Sequence, residues 1–298
     1  MKCVDLFAGC GGLSLGLESA GIQVVHGVEN WEAARKVYEL NLSHECSSLD
    51  LSDVTTAVEH LQKYCPDIIA GGPPCQDYSS AGKRKEGARA DLTVSYGEII
   101  VSLKPRWALM ENVPLTRKSQ SYSAYKELLK NSGYGITEVI LDASYYGVPQ
   151  TRKRFFSIGL LGANDNFLDD LIVSKRQTTQ TTMRDYFGSS LEIEHYYRHP
   201  RSYLRRGVYS IDEPSATIRG VNRPVAAGYP GHHLDSTKDL SKIRPLTTKE
   251  RSLVQTFPES FVLQGSKTVQ EQMIGNAVPV ELSRVIGECI LQFDREIR

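Results

Sequence analysis

The feature that most restricts how this chain can fold is an alternation that runs from its first residues to about Leu161. Short β-rich runs take turns with helical periodicity: KCVDLF then LSLGLESA, QVVHGV then WEAARKVYEL, PDIIAG then VSYGEIIVSL, RWALME then YSAYKELLKNSG, with ITEVILDA and RFFSIGLL after them. Strands that alternate with amphipathic helices pair in parallel and are covered by helices on both faces. The expectation is an α/β fold, a doubly wound and mostly parallel sheet of about seven strands by Leu161.

Past Ser174 the alternation dissolves into a stretch rich in Thr, Arg and Tyr that lasts to about Arg244. Helical signals then return in TTKERSLVQTF, TVQEQMIG and the amphipathic VELSRVIGECILQF, which most simply packs on the first domain. The expected organisation is a large domain over 1–174, a smaller irregular one over 175–244, and a segment 245–298 that rejoins the first.

Bulk charge predicts no partner, because 35 Lys and Arg balance 35 Asp and Glu. Locally, Tyr196 to Arg223 holds six arginines against Asp212 and Glu213, which reads as a basic patch or as a solvated loop region. The six cysteines show no C-x-x-C pair and no zinc-ligand spacing, so neither a disulfide framework nor a bound metal is expected. With no signal-peptide pattern and no membrane-spanning run, the expected setting is the cytoplasm, with no membrane partner.

Three segments concentrate reactive residues at strand ends, the edge where open α/β sheets bind ligands. DLFAGCGGLSLGL sets a glycine cluster between a strand and a helix, so a backbone can approach a ligand closely. Glu29 ends the next strand, where an acid can meet ribose hydroxyls or simply face solvent. Asp53 is placed to accept from an adenine amine or to cap a helix, with Asp50 a weaker candidate for the same role.

In GGPPCQDYSS, Pro73 and Pro74 stiffen the loop that carries Cys75, which suits a positioned nucleophile; a small buried hydrophobe is the alternative. Glu111 and Asn112 end RWALMENV, where burial of the carboxyl favours its acid form and a proton-donating role. Gln150, Arg152 and Arg154 alternate in VPQTRKRFF, a pattern for holding phosphate or a base carbonyl, or for guarding a strand edge. SSAGKRKEGARADL reads as a cationic lid or a plain exposed loop.

In their order, FAGCGG, Glu29, GGPPCQDYS, ENV, QTRKR and IGNAVPV make the chain resemble the C5-cytosine-specific DNA methyltransferases of the bacterial restriction-modification type, over nearly all of its length except about 174–244. The resemblance implies an S-adenosylmethionine-dependent, Rossmann-like catalytic domain and a target-recognition domain. It implies that Cys75 attacks C6 of a cytosine flipped from duplex DNA while Glu111 meets N3 and the exocyclic amine, so that C5 takes the methyl group from S-adenosyl-L-methionine.

Arg152 would hold the base at its O2 side, Arg154 and Gln150 would brace the site, and Asn112 would fix the cysteine loop. For the cofactor it implies Phe7, Ala8, Gly9, Gly11, Leu13, Glu29, Asn30 or Trp31, Asp53, Pro74, Asn276 and Val278. For DNA it implies Ser79, Lys83 and Arg84, with Arg205, Arg206, Arg219 and Arg223 in the recognition region. A monomer on DNA, with a companion restriction endonuclease acting separately, completes the expectation.

Two other readings carry less of the sequence. The transfer-RNA branch of the family has a Cys-Phe-Thr motif that this chain lacks, and a nicotinamide oxidoreductase leaves PPCQ, ENV and QTRKR without roles.

Overall fold

The computed structural model describes residues 1–74 and 91–298, which divide into two compact units. Cys75, Ser79, Lys83, Arg84 and the rest of the cationic segment as far as residue 90 lie outside the described residues. The first unit comprises 1–141, 153–175 and 283–298; the second comprises 142–152 and 176–282. The chain was expected to leave the second domain at residue 245. In this division it does so only at Ser283, because the helices that follow residue 245 bury Val254 and Ile274 in the second unit's own core.

In the first unit the order is β1 (Lys2–Leu6), α1 (Gly12–Ala20), β2 (Gln23–Val28), α2 (Glu32–Asn41), β3 (Cys46–Ser47), α3 (Val54–Leu61), β4 (Ile68–Gly71), α4 (Leu92–Leu103), β5 (Trp107–Asn112), α5 (Gln120–Asn131) and β6 (Tyr134–Asp142). After β7 (Gln150–Thr151), which belongs to the second unit, come β8 (Lys153–Leu161) and α6 (Asp169–Ser174). Seven strands form one sheet in the order β3-β2-β1-β4-β5-β8-β6. From β3 to β5 every neighbour is parallel, whereas β8 runs antiparallel to β5. Residues 143–152, between β6 and β8, hold only a single 3-10 turn and the two-residue β7, too little for the crossover helix that a parallel return requires.

Chain order reverses at the middle of this sheet. From β1 the chain moves outward to β2 and β3, then returns to lay β4 against the other side of β1. That topological switch leaves a crevice at the carboxyl ends of β1 and β4. The register aligns Leu6 with Gly71 and Gly71 with Met110, so the segments after β1, β4 and β5 emerge side by side. Antiparallel β8 pairs Asn112 with Phe155, which puts Arg154, near its beginning, on the same edge.

The core beneath that edge is built from Val4, Leu6, Ile69, Ala108, Met110 and Phe155 with helix residues such as Ile99, Tyr125 and Leu129. Tyr96 is fully buried, and its hydroxyl donates to the carbonyls of Leu109 (2.9 Å) and Ile69 (3.3 Å). The last helix, α10 (Val280–Glu296), brings Asp294 to accept from Trp107 Nε1 at 3.2 Å and Arg106 Nε at 2.7 Å.

The second unit holds α7 (Met183–Phe187), the antiparallel pair β9 (His195–Tyr197) and β10 (Val208–Ser210), β11 (Ser215–Ala216) parallel to β7, and then α8 (Thr248–Val254) and α9 (Lys267–Asn276). Its core gathers Met183, Tyr196, Tyr209, Ile218, Val254 and Ile274. Gly275 lets α9 meet the segment at Gly220 closely: a Cβ there would lie 2.1 Å from the Gly220 nitrogen. No helix among the described residues is long and apolar enough to cross a membrane.

Candidate active site

The glycine turn after β1 begins with Phe7 at φ +59°, a left-handed conformation that costs a bulky residue energy. Gly9 and Gly11 follow at φ +57° and +96°. A Cβ at Gly11 would lie 2.6 Å from Leu42 Cδ1, so this glycine is a packing requirement; one at Gly9 would meet nothing within 4 Å, so the turn is open on that side. Ala8 and Leu13 are buried beneath it.

Glu29 closes the turn from the end of β2. Its two carboxylate oxygens accept from Gly9 N at 2.8 Å and Trp31 N at 2.6 Å. A carboxylate can accept about four hydrogen bonds, so this one is fixed in orientation and keeps acceptor capacity for a ligand's hydroxyls. Asn30 is exposed and accepts from Ser48 Oγ at 3.3 Å, while Trp31 caps α2.

The two aspartates each accept two hydrogen bonds and differ in how these are spread over their oxygens. Asp53 caps α3, and both its oxygens are taken by Thr56, one by the backbone N–H at 3.1 Å and one by the hydroxyl at 2.7 Å. Asp50 commits only Oδ1, to Ser52 N and Oγ. The helix-capping alternative thus describes Asp53, and Asp50 keeps the freer carboxylate oxygen.

Beneath the turn runs a buried polar chain. Ser14 Oγ donates to Asp5 Oδ2 at 2.6 Å and lies 2.8 Å from the Tyr38 hydroxyl, which lies 2.6 Å from His44 Nε2. Ser14 has one hydroxyl hydrogen and gives it to Asp5, so Tyr38 donates to Ser14 and His44 donates to Tyr38. Asp5 is fully buried, and burial pushes its carboxyl up to about 7 against the lowering effect of Ser14. Folding therefore takes up a proton between the ordinary aspartate range near pH 4 and about pH 7, and this group's contribution to stability falls as pH rises through that window. Asp5→Asn is expected to flatten that fall: its stability relative to the unsubstituted protein should rise from pH 4 to pH 7 in denaturant titrations.

At the ends of β4 and β5 the geometry is tight. Asn112 is buried; its Nδ2 donates to the Pro73 carbonyl at 2.7 Å and its Oδ1 accepts from Val113 N at 2.8 Å. That bond holds the proline pair from the neighbouring strand; Pro74, at the end of the described segment, is exposed. Glu111 is also buried, and its Oε2 lies 3.4 Å from where a Cβ at Gly72 would be. Arg154 reaches it from β8, Nε to Oε1 at 2.8 Å, with both side chains close to nine-tenths buried. Burial lowers the Arg154 pKa, against the attraction of Glu111.

Arg152 was expected to hold a base and Arg154 to brace; the structure distributes them otherwise. Arg152 is buried within the second unit and donates to the carbonyls of Ile218 (2.9 Å), Gly275 (2.8 Å) and Ala277 (3.0 Å). Gln150 works beside it, donating to Gln255 Oε1 at 2.8 Å and accepting from Ile218 N at 2.7 Å. These two side chains tie backbone segments together, and the guanidinium facing Glu111 is that of Arg154. Alternation in the sequence put both arginines on one face; it carried no sign that the chain changes unit between them.

Asn276 and Val278 belong to the second unit, the first exposed at the end of α9 and the second buried. Of the expected DNA contacts, Arg206 is engaged by Glu213 at 2.5 Å and its guanidinium stacks on Tyr209 at 4.2 Å. Arg205 and Arg223 are exposed, and Arg219 is half-buried. Arg198, absent from the expected contacts, shares a recess with Arg219.

A family model described as C-5 cytosine-specific DNA methylase matches residues 1–292. The Type II methyltransferase M.HindV of Haemophilus influenzae is 53% identical over 99% of this chain and 98% of its own length. M.HgiDI of Herpetosiphon aurantiacus is 50% identical over 95% of this chain and 92% of its own. Among solved structures, the Dnmt2 methyltransferase of S. pombe superposes with a TM-score of 0.73 at 18% identity, covering 100% of this chain and 99% of its own. That likeness is one of fold.

Proposed function

From the premise that the chain belongs to the C-5 cytosine-specific DNA methylases, we infer that its substrate is a cytosine within a short sequence of duplex DNA. The carrying observation is the buried Glu111–Arg154 pair at the sheet's switch-point edge, beside the proline segment that Asn112 holds. The residue after Pro74 in the sequence is Cys75, the nucleophile of the proposed chemistry.

In this reading the Cys75 thiolate adds to C6 of a cytosine taken out of the duplex, forming the S–C6 bond and breaking the C5=C6 double bond. Glu111 hydrogen-bonds at N3 and the exocyclic amine, where electron density accumulates. Arg154, fixed by Glu111, is the guanidinium we assign to the O2 side of the base in place of Arg152. Once C5 carries the methyl group, loss of its proton to water restores the C5=C6 double bond as the S–C6 bond breaks and the thiolate leaves.

The residues at the glycine turn fit S-adenosyl-L-methionine: Gly9 leaves the turn open, and the oriented Glu29 carboxylate suits ribose hydroxyls. When bound, this cofactor supplies the methyl group. Phe7, Ala8, Gly11, Leu13, Trp31 and Asp50 would line its place, with Asp50 preferred to Asp53 for the adenine amine because it keeps an uncommitted oxygen. The Type II names of the relatives support a role in protecting DNA from a restriction endonuclease.

The test is transfer of labelled methyl groups to unmethylated duplex DNA and to transfer RNA, with Cys75→Ala alongside, followed by mapping of the modified bases. Methylcytosine in one short DNA sequence, lost in the variant, is the expected result. Label in RNA alone, or label that survives Cys75→Ala, overturns the reading.

A further inference from the structure

Some arginines of the second unit have carboxylate partners and others do not. Arg184 meets Asp212 and Glu194, Arg206 meets Glu213, Arg244 meets Glu250, and Arg251 meets Glu271. Arg198, Arg201 and Arg219 have no carboxylate within ion-pair distance among the described residues, and Arg198 and Arg219 line one recess. Burial lowers the Arg219 pKa first, and the charges of Arg198, Arg201 and Arg251 lower it further, to about 10.

The convergence is built into the backbone. Arg198 Nη2 donates to the Thr217 carbonyl at 3.0 Å, and Arg219 Nη2 donates to the His199 carbonyl at 2.7 Å. Each arginine is thus pinned to the segment that carries the other, and each keeps Nε and Nη1 as donors. Both line one recess, with Tyr197, His199, Asn222 and Arg251, and its free space is about 20 Å³, room for a single water-sized group. Like charges held together cost free energy unless an anion joins them, and no side chain among the described residues supplies one.

We propose that Arg198 and Arg219 form a seat for one backbone phosphate of the DNA, which orients the duplex on the second unit without reading its sequence. The proposal rests on the function inferred above. A phosphate suits the seat better than a base edge does. A guanine edge is satisfied by one bidentate guanidinium, whereas a phosphate oxyanion offers acceptors on several sides and a charge that relieves both cations at once. This residue choice departs from the sequence expectation: Arg198 enters, and Arg206, neutralised by Glu213, leaves.

The experiment measures binding of a fluorescent mixed-sequence duplex, in the presence of S-adenosyl-L-homocysteine, between about 50 and 200 mM salt. The double variant Arg198→Gln/Arg219→Gln is expected to reduce the slope of log K against log salt by about one, the loss of one phosphate contact. Arg201 is exposed and makes no hydrogen bond among the described residues, and its charge acts on Arg219, so Arg201→Gln weakens the seat without disturbing the fold and is expected to reduce both slope and affinity. Arg184→Gln, which removes an already neutralised cation, is expected to leave the slope unchanged.

Unchanged slopes in folded Arg201→Gln and in the double variant overturn the seat, as does an unchanged slope with methylation spreading to new sequences, the mark of a base reader. Failure of the unsubstituted protein to bind or methylate DNA defeats instead the functional reading beneath it. The two failures are therefore separable.

Discussion

Glu111→Gln is expected to slow methyl transfer by about 10²–10³-fold, the usual consequence of losing one preorganised group at the reacting centre. The substitution keeps the shape of the side chain and removes its charge, leaving the Arg154 guanidinium in a buried place without its anion. Breaking a buried ion pair from one side costs about 3 kcal/mol or more, so the variant should also melt earlier. Arg154→Gln is expected to do both in similar measure. The double variant decides whether the pair is one unit: its rate should fall little below that of either single variant, and its melting temperature should recover part of the loss. Rate losses that multiply in full would mean that the two side chains act separately.

The second large effect belongs to Arg152 and is one of stability. Arg152→Ala removes the donors to three carbonyls, and each buried acceptor left without a partner costs about 1–3 kcal/mol. The expected loss is about 3–9 kcal/mol, enough to unfold the second unit near physiological temperature. Arg152→Lys should rescue it only in part, because an ammonium lacks the planar fork that reaches three fixed acceptors. Under conditions where Arg152→Ala remains folded, measured by circular dichroism, methyl transfer should fall far less than in Arg154→Gln. A rate loss equal to that of Arg154→Gln at undiminished stability would return Arg152 to the reacting centre.

Much of the first unit was readable because its signals are local. The strand-helix alternation gave the seven-strand sheet, and ENV and the glycine turn fell at strand ends where backbone pairing put them. Three features were not readable from spacing. The antiparallel entry of β8 depends on how little helix joins it to β6, and the return of the chain at Ser283 depends on where Val254 and Ile274 find their neighbours. The division of labour between Arg152 and Arg154 depends on partners more than 40 residues away from each in sequence. Asp53 and Asp50 show the same limit at short range, since only the hydrogen bonds of Thr56 and Ser52 tell which carboxylate keeps an oxygen clear of them.

The docking of α10 bears on how the protein is made. Trp107 and Arg106, at the start of β5, complete their hydrogen bonds on Asp294, 187 and 188 residues later in the chain. During synthesis the ribosome delivers the strands of the sheet first, nearly all of the second unit next, and only then the helix whose Asp294 meets Trp107. The nascent sheet therefore lacks this partner until most of the second unit has been made. Emergence of α10, and not of the last strand, is the event that closes the first unit.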